Sequence, residues 1–277
     1  MTRLDTHRAK ALAGFLGLGI ALSACASGDI GQLVEVEPAD ALYNAGLADL
    51  NAGDMKGAKE TFQALDNQHP YSTLARQGVL LTAFASYKAG DYDSAIASAR
   101  RFVTLHPNSE DAAYAQYLIG ESYFRQIRDV TRDQATTQRA LNEMGEVARL
   151  YPDSEYADDA RRKVEVARDQ IAGHQMQVGR YYLERRRYTG AINRFRGVVE
   201  DFQTTRHVEE ALYRLVEAYL ALGIASEAQT AAAVLGHNYP DSRWYQDAFS
   251  LLGKGGLAPN VNEGSWLART IGRVART

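Results

Sequence analysis

The chain has 277 residues, 31 basic against 34 acidic, a single cysteine and a mean hydropathy of −0.35. One cysteine excludes an internal disulfide framework. The slight acidic excess argues against a nucleic-acid partner, because phosphate-backbone binding needs a basic surface.

The first predicted element is a leader. Arg3, Arg8 and Lys10 are followed by an apolar run from Ala11 to Ala21. That run is too short to span a bilayer permanently, and the layout is that of a secretory signal peptide. Leu22-Ser23-Ala24-Cys25 resembles a bacterial lipobox, so residues 1–24 are read as a lipoprotein signal peptide and Cys25 as the lipidation site. A lone thiol in an exported chain has no disulfide partner, which favours covalent N-acyl and S-diacylglycerol lipid on Cys25 over an incidental cysteine. Ala26 follows the cysteine where bacterial lipoproteins kept at the inner membrane often carry aspartate, so the expected location is the outer membrane. Cleavage removes three basic residues (Arg3, Arg8, Lys10) and one acidic residue (Asp5), leaving 28 basic against 33 acidic. No other stretch is long and apolar enough to cross a membrane, so the lipid alone holds the chain there; each buried methylene adds about 0.8 kcal/mol. Residues 25–38 are the lipid-anchored tether, and residues 26–38 reach at most about 45 Å when extended.

From residue 39 to 252 one period organises the sequence. "AGDMKGAKETFQALDNQHP" (52–70) and "AGDYDSAIASARRFVTLHP" (89–107) align without a gap. Each has a Gly-Asp turn, an alanine five residues after the glycine, an apolar helix and a closing His-Pro. The equivalent alanines are Ala58, Ala95, Ala140, Ala191 and Ala228. A period near 34 residues, with a small residue in the second helix and proline closing the unit, resembles the tetratricopeptide repeat. Gly46 and Gly179 are expected to meet Ala58 and Ala191 where paired helices approach, with Phe62 and Phe195 beside them. Pro70, Pro107, Pro152 and Pro240 stop the second helix, each lacking an amide donor. The fold class is all-α: a solenoid of about five helix pairs, with repeats at about 39–72, 76–109, 113–154, 172–205 and 209–242, since single units cannot bury their apolar faces. Two departures stand out. Gln203 replaces proline in the fourth copy, so that helix end is expected to be looser or capped by Thr204 and Thr205. Residues 128–138 read as a loop projecting from one face or as an extension of a neighbouring helix. Residues 253–277 read as a Gly-rich linker to Asn262 followed by a basic tail. In that tail Ser265 caps a short helix carrying Trp266, Leu267, Ile271 and Val274, with Arg269, Arg273 and Arg276 as its charge; disorder, docking and membrane-surface binding all fit.

No constellation for catalysis or metal binding emerges, so neither an enzyme, a metal site nor a cofactor beyond the Cys25 lipid is expected. His69 and His106 share one repeat position and His237 lies near Pro240, so they line an edge rather than converge; His-Glu-x-x-His, Gly-x-Ser-x-Gly and a phosphate loop are missing. Glu110-Asp111 and Asp158-Asp159 fall at helix starts, where carboxylates offset the dipole. Glu184-Arg185-Arg186-Arg187 reads as a solvated turn. In this repeat the first helix of each pair lines the concave face. Repeat positions put Tyr43, Leu47 and Leu50, then Leu80, Phe84 and Tyr87, then Tyr114, Tyr117 and Phe124 on that wall. The substrate-peptide groove is accordingly assigned to Tyr43, Leu47, Phe84, Tyr87, Tyr117 and Phe124, suited to an extended apolar peptide with aromatic residues. Packing of the same side chains into neighbouring helices is the alternative.

The lipobox, "ALDNQHP" (64–70), "RRFVTLHPN" (100–108), "YPDSEYADDARRK" (151–163) and "RDQIAGHQMQVGRYYLERRRYTGAINRF" (168–195) together resemble the BamD (ComL) lipoproteins of the outer-membrane β-barrel assembly machinery, over about residues 38–240. The resemblance implies a scaffold whose C-terminal repeats bind a POTRA domain of the insertase BamA, alongside other lipoproteins of the complex. It also implies N-terminal repeats that take the terminal aromatic signal of unfolded outer-membrane β-barrel proteins. In "AINRF", Arg194 matches the family arginine that pairs with an acidic residue of the insertase. A generic repeat lipoprotein serving cell-wall or cell-division enzymes is the competing reading, and the C-terminal extension departs from the minimal family pattern.

Overall fold

The computed structural model describes residues 36–274, with side chains to residue 270. The signal peptide, Cys25 and most of the tether lie outside the described residues. The architecture below is that of the unit beginning at Pro38.

Twelve α-helices and no strand occur among the described residues. Five antiparallel pairs follow one another: α1 Ala39–Ala52 with α2 Met55–Gln68, α3 Thr73–Lys88 with α4 Tyr92–Leu105, α5 Ala112–Arg125 with α6 Ala135–Leu150, α7 Ala157–Glu184 with α8 Tyr188–Asp201, and α9 Val208–Ala221 with α10 Ala225–Asn238. Helices α11 Arg243–Lys254 and α12 Trp266–Val274 complete the chain. Each helix from α1 to α10 packs on the next, α12 packs on α10, and odd-numbered helices also touch, α1 on α3, α3 on α5, α5 on α7 and α9 on α11. The odd helices therefore form one wall of a tetratricopeptide-type solenoid.

Local chemistry dictates both kinds of turn. Between the helices of a pair the backbone passes through positive φ, at Gly53 (82°), Gly90 (77°) and Gly223 (73°). Glycine suits that region because it has no Cβ to clash. In the fourth pair Arg186 takes the same position at φ 57°, the single non-glycine with positive φ among the described residues. Asp54 and Asp91 then cap α2 and α4, accepting hydrogen bonds from the N–H groups of Gly57 and Ser94 at 2.8 and 3.2 Å. Between pairs, the residue before proline is held out of the helical region: His69, His106, Tyr151 and Tyr239 all have φ between −129° and −139° and ψ between 52° and 60°. Ser72, Ser109, Ser154 and Ser242 each donate their N–H back to that residue's carbonyl at 2.9–3.1 Å.

The fourth copy shows how this turn survives without proline. Phe202 adopts φ −129°, ψ 42°, close to the other four. Its carbonyl accepts the Thr205 N–H at 3.1 Å and the Thr205 hydroxyl at 2.8 Å. Thr205 is thus the cap, whereas Thr204 donates to Glu165 at 3.1 Å instead. The end is not loose.

Four sequence expectations need correcting. The repeat alanines are fully buried as expected, but Gly46 and Gly179 lie under the rings of Phe62 and Phe195; a Cβ there would overlap the ring. Helix α7 is continuous over 28 residues, so a fourth repeat beginning at 172 starts inside a helix whose first half already packs on α6. Residues 128–138 do not project as a loop. Ala135–Gln138 is the first turn of α6, and the rest lies on α7, where Gln170 donates to the Arg128 carbonyl (2.9 Å) and His174 Nδ1 contacts the Val130 carbonyl (2.7 Å). Gly173 leaves room for Val130 there. Finally, residues 257–270 are not a free tail. The Asn260 N–H donates to the Gln229 carbonyl, Gln229 to the Ala258 carbonyl, the Asn262 N–H to Thr230, and Ser265 to Glu227. Leu267 is wholly buried against the last two pairs.

Candidate polypeptide-binding surfaces

The expected groove residues sit on the odd-helix wall, and all are half-buried. Tyr43 lies 6.0 Å from the Phe62 ring, and Leu47 packs with it on the cluster of Leu42, Phe62 and Leu65. Phe84 and Tyr87 rest on the cluster of Val79, Phe102 and Ile119; Tyr117 and Phe124 rest on Met144 and Val147. The wall is therefore three small aromatic patches, each doubling as the lid of its own core. Leu80 is buried and is core. Sequence reasoning missed Tyr156, whose ring lies 5.3 Å from Tyr114 and 5.1 Å from Tyr117. Burial pushes the Tyr114 hydroxyl up to about 12, and burial followed by a bond to Glu155 does the same for Tyr156. Both stay neutral and act as apolar rings with one donor each.

A charged cluster ties three odd helices together behind this wall. The carboxylate of Glu121 on α5 is 5% exposed. It accepts from the Tyr87 hydroxyl of α3 (3.0 Å) and from Arg125 (2.8 Å), and the Lys163 ammonium of α7 lies 2.5 Å from its second oxygen. Lys163 also meets Asp159 at 2.6 Å and donates to the Tyr117 hydroxyl at 2.6 Å, while its ammonium stands 4.7 Å from the Tyr117 ring centre and 5.6 Å from that of Phe124. Burial lowers the Lys163 pKa, but bonds to Asp159, Glu121 and Tyr117 outweigh it and raise the pKa. Bonds from Lys163 first and then Tyr117 hold the Asp159 carboxyl down to about 2. Two expected ligand-contacting residues, Tyr87 and Tyr117, thus have their hydroxyls committed inside the fold. The i, i+4 spacing of Asp159 and Lys163 was the available sequence signal; their meeting with Glu121 depends on helix packing that spacing does not encode.

Arg194 sits elsewhere, on the exposed side of α8. Its Nη1 donates to Gln175 at 3.0 Å, and among the described residues it makes no ion pair. It lines a cleft of about 420 Å³ with Gln175, Tyr182, Gly190, Asn193 and Gly197. The histidines do not converge. His69 and His106 end α2 and α4, His207 is 3.6 Å from Asp169, and among the described residues no three His, Cys, Asp or Glu side chains gather as a metal would need. Among the same residues no helix is long and apolar enough to cross a membrane.

Residues 35–235 match the model of the YfiO family, described as outer membrane lipoprotein. The chain belongs to that family. Similar YfiO-type relatives are named outer membrane protein assembly factor BamD. That of Caulobacter vibrioides is 46% identical over 82% of this chain and 74% of its own length, and that of Rickettsia prowazekii 38% over 88% and 96%. That of Neisseria meningitidis serogroup A is 33% identical over 84% and 93%. The resemblance read from the sequence motifs is therefore confirmed across most of the chain. Solved structures with a similar course include MamA (18% identical, 76% of this chain, 96% of that one, TM-score 0.37) and a tetratricopeptide repeat protein of Parabacteroides merdae (12%, 79% and 93%, TM-score 0.36). At such TM-scores the repeat fold of this chain rests on its own helix pairs.

Proposed function

We propose that the chain is a non-enzymatic adaptor of the outer-membrane β-barrel assembly complex, lipid-anchored through Cys25 on the periplasmic face of the outer membrane. In this reading Arg194 holds the insertase BamA through a POTRA domain. The half-buried rings of Tyr43, Phe84, Tyr87, Tyr117 and Phe124, with Leu47, take the aromatic terminal signal of unfolded barrel proteins. One observation carries the insertase half: Arg194 is exposed, free of any carboxylate among the described residues, and set at the lip of a cleft. A guanidinium so placed is available for a bidentate bond to a partner's acid. The assembly-factor names of the relatives support the same reading. For the substrate half, apolar ring faces beside hydroxyls already bonded internally suit an extended aromatic peptide held by contact area rather than by hydrogen bonds. Arg194→Glu should strip the insertase from the acylated protein when it is purified from native membranes; undiminished co-purification would overturn the assignment.

A further inference from the structure

The family match ends at residue 235, and the chain beyond it carries a charge of its own. Over all 277 residues acids outnumber bases, 34 to 31, yet after Glu263 there are three arginines, Arg269, Arg273 and Arg276, and no acid. One sign of charge gathered at a chain end points to a partner of the opposite sign.

Docking settles which side of α12 is spent. Ser265 accepts the Leu267 N–H at 3.1 Å and donates its hydroxyl to Glu227 of α10 at 2.6 Å. The Trp266 indole N–H donates to the Tyr219 hydroxyl of α9 at 2.9 Å, and its ring centre lies 4.6 Å from the Arg196 guanidinium of α8. Leu267 is wholly buried. The first turn of α12 is thus fixed to three helices. At 3.6 residues per turn, Ile271 and Val274 fall on the backbone line of Leu267, whereas Arg269 and Arg273 fall on the opposite line. Arg269 donates to the Gly264 carbonyl at 3.1 Å, a neutral partner that leaves its charge intact.

We infer that the basic line of α12, with Arg276 just beyond it, rests on an anionic phospholipid surface. A planar guanidinium matches a phosphate with two parallel hydrogen bonds, and a chain of an outer membrane lipoprotein family works beside a bilayer. An interfacial amphipathic helix buries its apolar face among acyl chains. Here the apolar line begins at Leu267, which is already buried in the solenoid, so the contact is shallow and electrostatic. Each arginine near an anionic surface strengthens such binding about fivefold. This contact goes beyond the adaptor reading and depends neither on Arg194 nor on the aromatic wall.

Vesicle flotation tests it without the acyl anchor. Residues 25–277, which contain every described helix, should float with phosphatidylcholine vesicles that include phosphatidylglycerol and not with phosphatidylcholine alone. Added salt should release them. Arg273→Gln and Arg276→Gln lie beyond the docked first turn, so together they should leave the melting temperature unchanged while weakening binding about fivefold for each arginine removed. Equal flotation with both kinds of vesicle, flotation indifferent to the two substitutions, or no flotation overturns the inference. If nothing floats and a photoreactive benzoylphenylalanine at 272 captures a polypeptide rather than lipid in native membranes, the face belongs to an acidic protein and the lipid assignment falls. The assay contains no insertase and no barrel substrate, so its failure leaves the adaptor reading where it stands.

Discussion

Lys163 shows how a single side chain decides the inner wall. Its ammonium is the cation nearest the second oxygen of Glu121, a carboxylate that is 5% exposed. Removing one partner of a buried pair strands the other, which costs far more than the pair contributes net. Lys163→Met should lower unfolding free energy by about 3 kcal/mol in urea titration, and adding Glu121→Gln should recover part of that loss. Asp159 gives a pH signature. Its folded pKa, about 2, lies below the ordinary 3.8, so its contribution is complete above roughly pH 4 and lost as pH falls through about 2. Stability of Asp159→Asn should accordingly fall less between pH 4 and pH 2 than that of the parent, as read from urea midpoints; parallel curves would remove Asp159 from the network. Neither residue was legible as a site from sequence, where Asp158-Asp159 read only as helix-start acids.

At the scale of elements, the repeat grammar was legible because it is local. Gly-Asp turns, buried alanines and prolines act within a few residues, and the pairs built on them fold as the period demands. What escaped was continuity and docking. The 28 residues of α7 contain no proline or capping signal at residue 172 to mark a boundary, so helix runs through where a repeat was expected to begin. The 128–134 segment lacks an apolar run, and its place on α7 is fixed by backbone carbonyls that any sequence supplies. Thr205, by contrast, replaces proline's restraint with a hydroxyl bond to Phe202. Thr205→Val should cost about 1 kcal/mol in thermal unfolding, and Gln203→Pro should add about 0.5 kcal/mol by restricting the unfolded chain. A neutral Thr205→Val would show that the turn holds without its cap.

Across the whole molecule, a solenoid's stability is a sum of units and nearest-neighbour interfaces, so damage stays near where it is made. Leu267 buries its side chain fully against the last two pairs. Leu267→Ala should cost about 3 kcal/mol, and hydrogen exchange should quicken in α10 and α12 while α1 to α4 keep their protection. Uniform loss of protection would mean that the repeats unfold as one. Repeat position put Tyr43, Leu47, Phe84, Tyr87, Tyr117 and Phe124 on the odd-helix wall, and the structure shows them half-buried on the core, a packing role that the pattern of aromatic residues alone does not encode. The most direct measurement is the affinity of the acylated protein for the insertase's isolated POTRA region, with and without Arg194→Glu. At least tenfold weakening with an unchanged melting temperature is expected if Arg194 holds the insertase. Equal affinities for the two proteins would contradict it.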